Sequence, residues 1–294
     1  MKKLRLGFCD FWDDFPLTDN FFTQRLSRFY DLELSSDPDV LIYSLFAQKH
    51  REYSCKKIAY IGENVRPDFR DCDYAISFDH LNNPRHLRWP IYNLYHHMAE
   101  FPVFTDHREK FCAVVITNPE GRFRNEFLDR LSQVRPVDSG GKFRNNIGAP
   151  VVDKNAFLQQ YRFSFAFENS SHPGYTTEKV VQSKLAGTIP IYWGDPRVAD
   201  DFNTKSFINV HDFPGIDACI DHILAVDADP ARYEEIRRQP LLKDGRTTPF
   251  CDRNVFDRWI IRAVEAPKWC HRDPWSAWER RFHHQLQTIL YRGQ

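Results

Sequence analysis

Lys179 carries the chemistry that is most directly read from the sequence, because its charge falls where a helix should begin. We predict that Thr176 or Thr177 caps this helix. Glu178 and Lys179 then occupy its first turn, and Gly187 ends it. A helix start offers unpaired backbone N–H groups and the positive end of the helix dipole. A lysine at this point favours phosphate binding, although a solvated surface charge is the alternative.

This helix lies between two predicted strands. Phenylalanines alternate with small residues from Tyr161 to Phe167, which is typical of a strand, and a second apolar run extends from Thr188 to Trp193. The three elements form a β-α-β unit. Ligands of open α/β sheets bind outside the carboxyl ends of the strands. We therefore expect the polar loop from Glu168 to Tyr175 to line a small-molecule site.

Three charged residues elsewhere could complete such a site. Arg124 follows the turn at residues 118–121 and could grip a phosphate with two N–H groups. Arg144 lies in SGGKFRNN, which lacks the spacing of a nucleotide-binding P-loop, so a glycine turn with or without ligand contact fits. Glu63 directly follows a predicted strand, where a solvated loop acid is the alternative to a general base.

Composition restricts the class of protein. The chain has 294 residues, with 40 Lys plus Arg against 40 Asp plus Glu, so its net charge gives no indication of nucleic-acid binding. Its seven cysteines show no metal-ligand spacing, which favours free thiols in a reducing compartment. We see neither a signal peptide nor the roughly 20 apolar residues of a membrane helix. A cytoplasmic protein is expected.

Alternating strands and helices predict an α/β fold. Further strands are expected near residues 4–8, 40–46, 57–61, 74–78, 111–116 and 208–210. Helices are expected at 125–134, after Asp153, from Ile216 and around Phe256. The loop after the first strand, CDFWDDF, mixes acids and aromatic rings that could hold sugar hydroxyls. A weakly marked linker at 100–109 suggests two successive domains.

The run FENSSHPGYTTEKVVQSKLAGTIPIYWGDP closely resembles the donor-binding motif of the α-1,3-fucosyltransferases, the inverting family that uses GDP-fucose. YIGENVRPDF, GRFRNEF, SGGKFRNNIG and KSFINVHDF are similar to further segments of that family. The resemblance implies two Rossmann-like domains facing a cleft, the GT-B architecture. Residues 1–104 would bind the acceptor, 105–270 would bind GDP-fucose, and 271–294 would form a C-terminal helix.

The resemblance also implies roles for individual residues. Lys179 and Arg124 match residues that contact the diphosphate, and Glu178 matches a glutamate that binds donor hydroxyls. Asn169 and Tyr175 match residues of the nucleotide-sugar pocket; by themselves they would be a turn residue and a core residue. Glu63 matches the catalytic glutamate of the GEN element. The fallback bases are Glu168, Asp10, Asp13 and Asp14.

The implied reaction moves L-fucose from GDP-fucose to N-acetylglucosamine or glucose of a galactose-containing glycan, in an α-1,3 or α-1,4 linkage of the Lewis type. The glycan would belong to lipopolysaccharide or a glycoprotein in a bacterium. No cofactor is required, although Mn²⁺ or Mg²⁺ could stimulate the enzyme. Two alternatives remain: a metal-dependent transferase organised on Asp71 and Asp73, and a glycan-binding protein without turnover. The aromatic, basic tail with Trp275 and Trp278 would pack on the first domain or touch the inner membrane peripherally.

Overall fold

The computed structural model describes residues 1–95, 107–243 and 248–269. The chain divides into two compact units. Within the described residues, the first comprises Met1–Ser77, Leu81–Leu87 and 256–269, and the second comprises Phe78–His80 and the described part of Arg88–Val255. Each unit contains one sheet.

The first sheet has six strands in the order β2-β1-β3-β4-β5-β6. Its strands are β1 (Lys2–Cys9), β2 (Tyr30–Leu34), β3 (Val40–Tyr43), β4 (Lys56–Tyr60), β5 (Tyr74–Ser77) and β6 (His86–Arg88). β1 pairs in parallel with β2 and β3, β3 with β4, and β4 with β5. Every residue of β3 and β5 is buried, as expected for parallel strands covered on both faces. The four predicted strands of this unit are confirmed, and β2 and β6 are additional.

The second sheet has five strands in the order β11-β10-β9-β7-β8. They are β7 (Lys110–Val114), β8 (Val137–Ser139), β9 (Tyr161–Phe167), β10 (Ile189–Trp193) and β11 (Ile208–Asn209). β9 pairs in parallel with β10 and with β7. Because parallel strands end at the same edge, the residues after β9 and β10 share one edge of the sheet. The β-α-β unit predicted from the sequence is confirmed.

The described residues also contain eight α-helices, the last three of which follow the last strand. They are α1 (Phe21–Leu26), α2 (Tyr92–Tyr95), α3 (Arg122–Val134), α4 (Lys154–Leu158), α5 (Lys179–Leu185), α6 (Ile216–Ala228), α7 (Pro230–Arg238) and α8 (Arg253–Glu265). The predicted cap of α5 is wrong. Glu178 is its N-cap residue and makes no side-chain capping bond, because the hydroxyl of Thr177 is bonded to Glu168 instead. Gly187, at φ +73°, ends the helical segment as expected.

The division into units differs from the predicted boundary at residues 104 and 105. Most of α8 belongs to the first unit, because the carboxylate of Asp257 accepts a bond from Arg25 Nε at 2.8 Å. The ring of Phe256 also packs against Phe21, with centroids 4.8 Å apart. Most of the predicted linker at 100–109 and the whole predicted helix at 271–294 lie outside the described residues.

Two expectations about the chain as a whole can be compared with the described residues. Six of the seven cysteines fall in this part of the chain and all six are free, as expected; Cys270 lies outside it. Among the described helices, none combines the length and the apolar character needed to cross a bilayer.

Lys184 is a buried ammonium group on α5. Its Nζ donates to the carbonyl oxygens of Arg237 at 2.7 Å and Ser206 at 3.4 Å. Burial, followed by the nearby charge of Arg237, lowers the pKa of Lys184 from 10.5 to about 7. A charged amine therefore costs this unit stability at neutral pH.

Replacement of Lys184 by Met should flatten the dependence of stability on pH. Between pH 7 and 10.5 the unfolded chain binds a proton that folded Lys184 lacks, so this residue makes the free energy of unfolding rise with pH by up to about 1.4 kcal/mol per pH unit. Urea unfolding at several pH values between 7 and 9.5 would measure the slope. Lys205→Met removes an exposed lysine and should leave the slope unchanged. Equal slopes in wild type and Lys184→Met would contradict the prediction.

Candidate active site

Two buried carboxylates lie at the carboxyl edge of the second sheet. Glu168 directly follows β9 and its N–H donates to the carbonyl of Trp193 at the end of β10, at 2.8 Å. Asp195 follows β10 by two residues. Both residues are 0% exposed. Because an unpaired buried charge is costly, the bonds of these two carboxylates decide how the surrounding backbone is arranged.

Glu168 is bonded to Thr177 and Lys179. Its Oε1 accepts the backbone N–H of Thr177 at 2.7 Å, and its Oε2 accepts the Thr177 hydroxyl at 2.6 Å and Lys179 Nζ at 3.0 Å. Lys179 Nζ also donates to the Thr177 hydroxyl oxygen at 2.8 Å. Burial raises the pKa of Glu168 despite the opposing charge of Lys179. These contacts hold the predicted phosphate-binding ammonium at the start of α5.

Two further charged residues, Glu178 and Lys154, lie near the start of α5. Glu178 Oε1 lies 3.8 Å from Lys179 Nζ. Burial would raise the pKa of Glu178, but Lys179 and backbone hydrogen bonding outweigh it and the pKa falls below its usual value. Lys154, at the first position of α4, donates from Nζ to Gln182 on α5 at 2.7 Å. The sequence reasoning missed Lys154, since a lysine after a capping aspartate reads as a surface residue.

Asp195 shapes the loop between β9 and α5. Its Oδ1 accepts the backbone N–H of Gly174 at 2.7 Å and its Oδ2 accepts the hydroxyl of Thr176 at 3.1 Å. Tyr175, between those two residues, is 2% exposed, and its ring centroid is 4.9 Å from that of Phe78. In this conformation Tyr175 is therefore a packed core residue, which is the alternative to a residue that lines the nucleotide-sugar pocket.

Arg124 lies near the same edge on the first turn of α3. It is 5% exposed, and its Nη2 donates to the carbonyls of Asn118, at 2.7 Å, and Glu120. Its Nη1 lies 3.5 Å from Asn169 Oδ1, so two predicted donor-binding residues are brought together. Burial, and then the charge of Arg144, lowers the pKa of Arg124.

Arg144 lies near Arg124 and forms an ion pair with Asp129. Its backbone has φ +54°, in the left-handed region that non-glycine residues seldom adopt. Its guanidinium contacts the carboxylate of Asp129 and lies 3.4 Å from the carbonyl of Asn125 on α3. The guanidinium is thereby fixed toward α3, on the side of the sheet that carries Arg124.

Glu63 and the other candidate bases lie in the first unit. Glu63 is exposed in the loop that follows β4. Asp10 is buried at φ +59° and accepts the backbone N–H groups of Lys49 and His50 at 2.9 Å. Burial would raise the pKa of Asp10, but hydrogen bonds from His50 and from the backbone outweigh burial, so the pKa falls below its usual value. Asp10 therefore connects two loops, whereas Asp13 and Asp14 are exposed.

The Asp71-Cys72-Asp73 triplet has structural partners. Asp73 is 0% exposed and accepts the N–H of Lys57 at 2.8 Å and the N–H of Trp269. Asp71 pairs with Arg51 at 3.3 Å. Across the three described ranges, no group of three or more His, Cys, Asp or Glu side chains is arranged to hold a metal ion.

Family comparisons cover both units. Residues 6–95 match the N-terminal domain model of α-(1,3)-fucosyltransferase FucT, and residues 105–238 match the C-terminal model of glycosyltransferase family 10 (fucosyltransferase). The FucT protein of Helicobacter pylori is 38% identical over 244 residues, which cover 67% of this chain and 51% of that protein. A bovine 3-galactosyl-N-acetylglucosaminide 4-α-L-fucosyltransferase is 34% identical over 130 residues, or 43% of this chain and 35% of its own length. The chain thus spans at most about half of these curated relatives.

A solved structure aligns with nearly the whole chain. The crystal structure of an α1,3-fucosyltransferase with GDP-fucose has a TM-score of 0.79 and 29% identity, and the match covers 92% of this chain and 93% of that one. A further crystal structure of an α1,3-fucosyltransferase has a TM-score of 0.79 and 30% identity, over 90% of this chain and 91% of its own. The predicted fold class, two Rossmann-like domains of the GT-B type, is confirmed.

Substitution of Gly174 by Ala should disturb the loop that carries Asn169 and Tyr175. Gly174 has φ +88°, and an added Cβ would lie 2.5 Å from the carbonyl oxygen of Phe78. Gly148, at φ +97° with nothing within 4 Å, is a matched control that isolates the backbone strain of about 1 kcal/mol. We expect Gly174→Ala to lower the melting temperature at least about twice as much as Gly148→Ala, because a backbone clash adds to the strain. Equal losses in the two variants would contradict this.

Proposed function

Because the chain belongs to the fucosyltransferases of glycosyltransferase family 10, we propose that it transfers L-fucose from GDP-fucose to a glycan. The acceptor sugar is N-acetylglucosamine or glucose in a galactose-containing glycan, and the product carries an α-1,3 or α-1,4 linkage of the Lewis type. The observation that carries this proposal is the arrangement of Lys179 at the start of α5, fixed by Glu168 and Thr177, while Asn169, the residue after Glu168, lies 3.5 Å from the guanidinium of Arg124.

This arrangement suits the departure of a nucleoside diphosphate. Negative charge builds on the diphosphate as the glycosidic bond breaks, and cations placed in advance stabilise it without reorganisation. Lys179 supplies an ammonium at the start of α5. Arg124 supplies a planar guanidinium that can bind two phosphate oxygens. Its neighbour Arg144 adds positive potential from the adjacent turn.

Glu178 and the loop after β9 would bind the fucose and the nucleotide. The pKa of Glu178 is lowered chiefly by Lys179, in opposition to burial, so its carboxylate stays ionised at neutral pH. An ionised carboxylate accepts sugar hydroxyls and favours positive charge at the anomeric carbon. Asn169 and Tyr175 would line the same pocket; Tyr175 is packed against Phe78 and would contribute mainly by shape.

Glu63 is proposed as the general base. The acceptor hydroxyl oxygen forms a bond to the anomeric carbon, its proton passes to the Glu63 carboxylate, and the bond to the β-phosphate breaks with its electron pair leaving on GDP. Attack from the face opposite the diphosphate converts the β-linked donor into an α-linked product. Proton, bonding electrons and charge balance without a redox cofactor.

Aromatic side chains that follow the strands of the first sheet support acceptor binding by the first unit. The ring of Phe11, after β1, lies 6.3 Å from that of Tyr60, which precedes Glu63 by three residues. Trp12 lies 6.0 Å from Phe46, and Phe46 is 54% exposed. Both loops follow neighbouring strands at the carboxyl edge of the first sheet. Aromatic rings on loops at this edge, with Phe46 exposed, suit the apolar face of a hexose.

The proposal places the enzyme in the cytoplasm, where GDP-sugars and free thiols would be compatible. Residues 271–294, which lie outside the described residues, would make peripheral contact with the inner membrane. In this mechanism Lys179 and Arg124 neutralise the charge of the departing diphosphate. Mn²⁺ or Mg²⁺ stimulates the reaction and is not required.

Product analysis tests the reaction. We expect incubation with GDP-fucose and either lactose or N-acetyllactosamine to give an α-linked fucose on the glucose or N-acetylglucosamine residue, identified by NMR of the anomeric proton. The type 1 isomer of N-acetyllactosamine distinguishes 3-linkage from 4-linkage. Without added metal, assays with and without EDTA should give the same turnover. A product with a β-linked fucose, or loss of turnover in EDTA, would refute the proposed mechanism.

Replacement of Glu63 by Gln tests the base. The amide cannot accept the proton, so we expect kcat to fall by about 10²–10⁴-fold, with the Kd for GDP unchanged because Glu63 belongs to the acceptor side. Glu33→Gln alters another exposed glutamate, on β2 of the same sheet, and should retain full activity. A variant Glu63→Gln that keeps its kcat would exclude Glu63 as the base.

A further inference from the structure

We propose that Glu168 is a positioning residue for fucosyl transfer, which fixes the Lys179 ammonium where the diphosphate leaves. The inference rests on the proposed function and adds to it a residue that does not touch the substrate. Glu168 was a fallback candidate for the general base. Its bonds assign it a different task, because both of its oxygens accept from neighbouring protein groups.

The geometry around Glu168 is a closed triangle of polar groups. Glu168 Oε2, the Thr177 hydroxyl oxygen and Lys179 Nζ are separated by 2.6, 2.8 and 3.0 Å. The Thr177 hydroxyl donates to the carboxylate and accepts from the ammonium, so its single proton fixes the direction of the network. Two anchors therefore restrain one end of the lysine side chain at the start of α5.

Restraint of the Lys179 side chain in advance lowers the entropic cost of binding the donor. The four-carbon side chain loses rotamer entropy when it is ordered. The Glu168 side chain is 0% exposed and the Lys179 side chain is 24% exposed, so the pair joins a rigid interior group to one that reaches the surface. Ordering before the donor arrives removes that cost from the binding step.

The two oxygens of Glu168 have separable tasks. Oε1 accepts the backbone N–H of Thr177 and supports the local fold, whereas Oε2 accepts from Lys179. In Glu168→Gln the amide oxygen can keep the bond to the Thr177 backbone. Its NH₂ group can accept from neither Lys179 nor the Thr177 hydroxyl. The substitution therefore removes the positioning contact and preserves volume.

A double-mutant cycle on GDP affinity tests the proposal. Calorimetry would give the Kd for GDP of the full-length wild type, Glu168→Gln, Lys179→Met and the double variant. If Glu168 acts through Lys179, Glu168→Gln weakens GDP binding about tenfold in the wild type and less than about twofold once Lys179 is replaced. A loss of the same size in both backgrounds would overturn the proposal, because it would show that Glu168 only supports the fold.

Asp195→Asn provides the matched control. Asp195 is equally buried but bonds to Gly174 and Thr176 instead of Lys179. Its effect on GDP affinity should therefore be the same with and without Lys179. Coupling of Asp195→Asn to Lys179→Met as strong as that of Glu168→Gln would overturn the specific role of Glu168.

A second variant covers the case in which Glu168→Gln does not fold. Thr177→Val retains the backbone N–H but lacks the hydroxyl that joins the carboxylate to the ammonium, and it should show the same coupling to Lys179→Met; additive losses would overturn the proposal. Wild-type protein that binds no GDP would refute the proposed function together with this inference. Normal GDP binding without coupling would refute the inference alone.

Discussion

The contact between the buried carboxylate of Glu168 and the ammonium of Lys179 is the interaction on which the donor side of the site depends. Glu168 follows β9, and Lys179 begins α5, so the contact joins the sheet to the helix across the loop. Without the lysine, Glu168 would be a buried charge compensated only by neutral donors. Without the carboxylate, the ammonium of Lys179 would lose the bond that joins it to the sheet and would keep its contacts with Thr177 and Glu178 beside the helix. Each residue thus accounts for the placement of the other.

Parallel sheets supply the common edge at which these groups meet. Glu168 and Asp195 follow adjacent strands, and one fixes the start of α5 while the other fixes the preceding loop through Gly174. The same rule operates in the first unit, where Asp10 follows β1 and Glu63 follows β4. Local arrangement of charge, rather than the zero net charge of the chain, is therefore the basis of the proposed diphosphate binding.

Much of this could be predicted from the sequence, because the strands that line the site are long and strongly patterned. β9, α5 and β10 were all expected, and so was the end of α5 before Gly187. The expected cap was wrong because the Thr177 hydroxyl is recruited by Glu168, nine residues earlier. Propensity for capping is a local preference, and a buried carboxylate overrides it. The assignment of Arg124 and Asn169 to one donor site rested on the family resemblance, and their contact could not be read from the sequence because 45 residues separate them.

The features that escaped prediction depend on distant contacts or weak patterns. β2 is an edge strand with the sequence YDLEL, and Leu34 at its end is 43% exposed, so it lacks the apolar run of a central strand. The membership of α8 in the first unit follows from Arg25 and Asp257, which are 232 residues apart in the chain. No periodicity in either segment signals that pairing.

In the proposed site, Lys179 and Arg124 together bind the diphosphate at the carboxyl edge of the second sheet. A crystal structure of this protein with bound GDP would show whether they do. We expect phosphate oxygens within about 3.2 Å of Lys179 Nζ and of the Arg124 guanidinium, with the bond between Lys179 and Glu168 retained. A diphosphate bound away from both cations would contradict it.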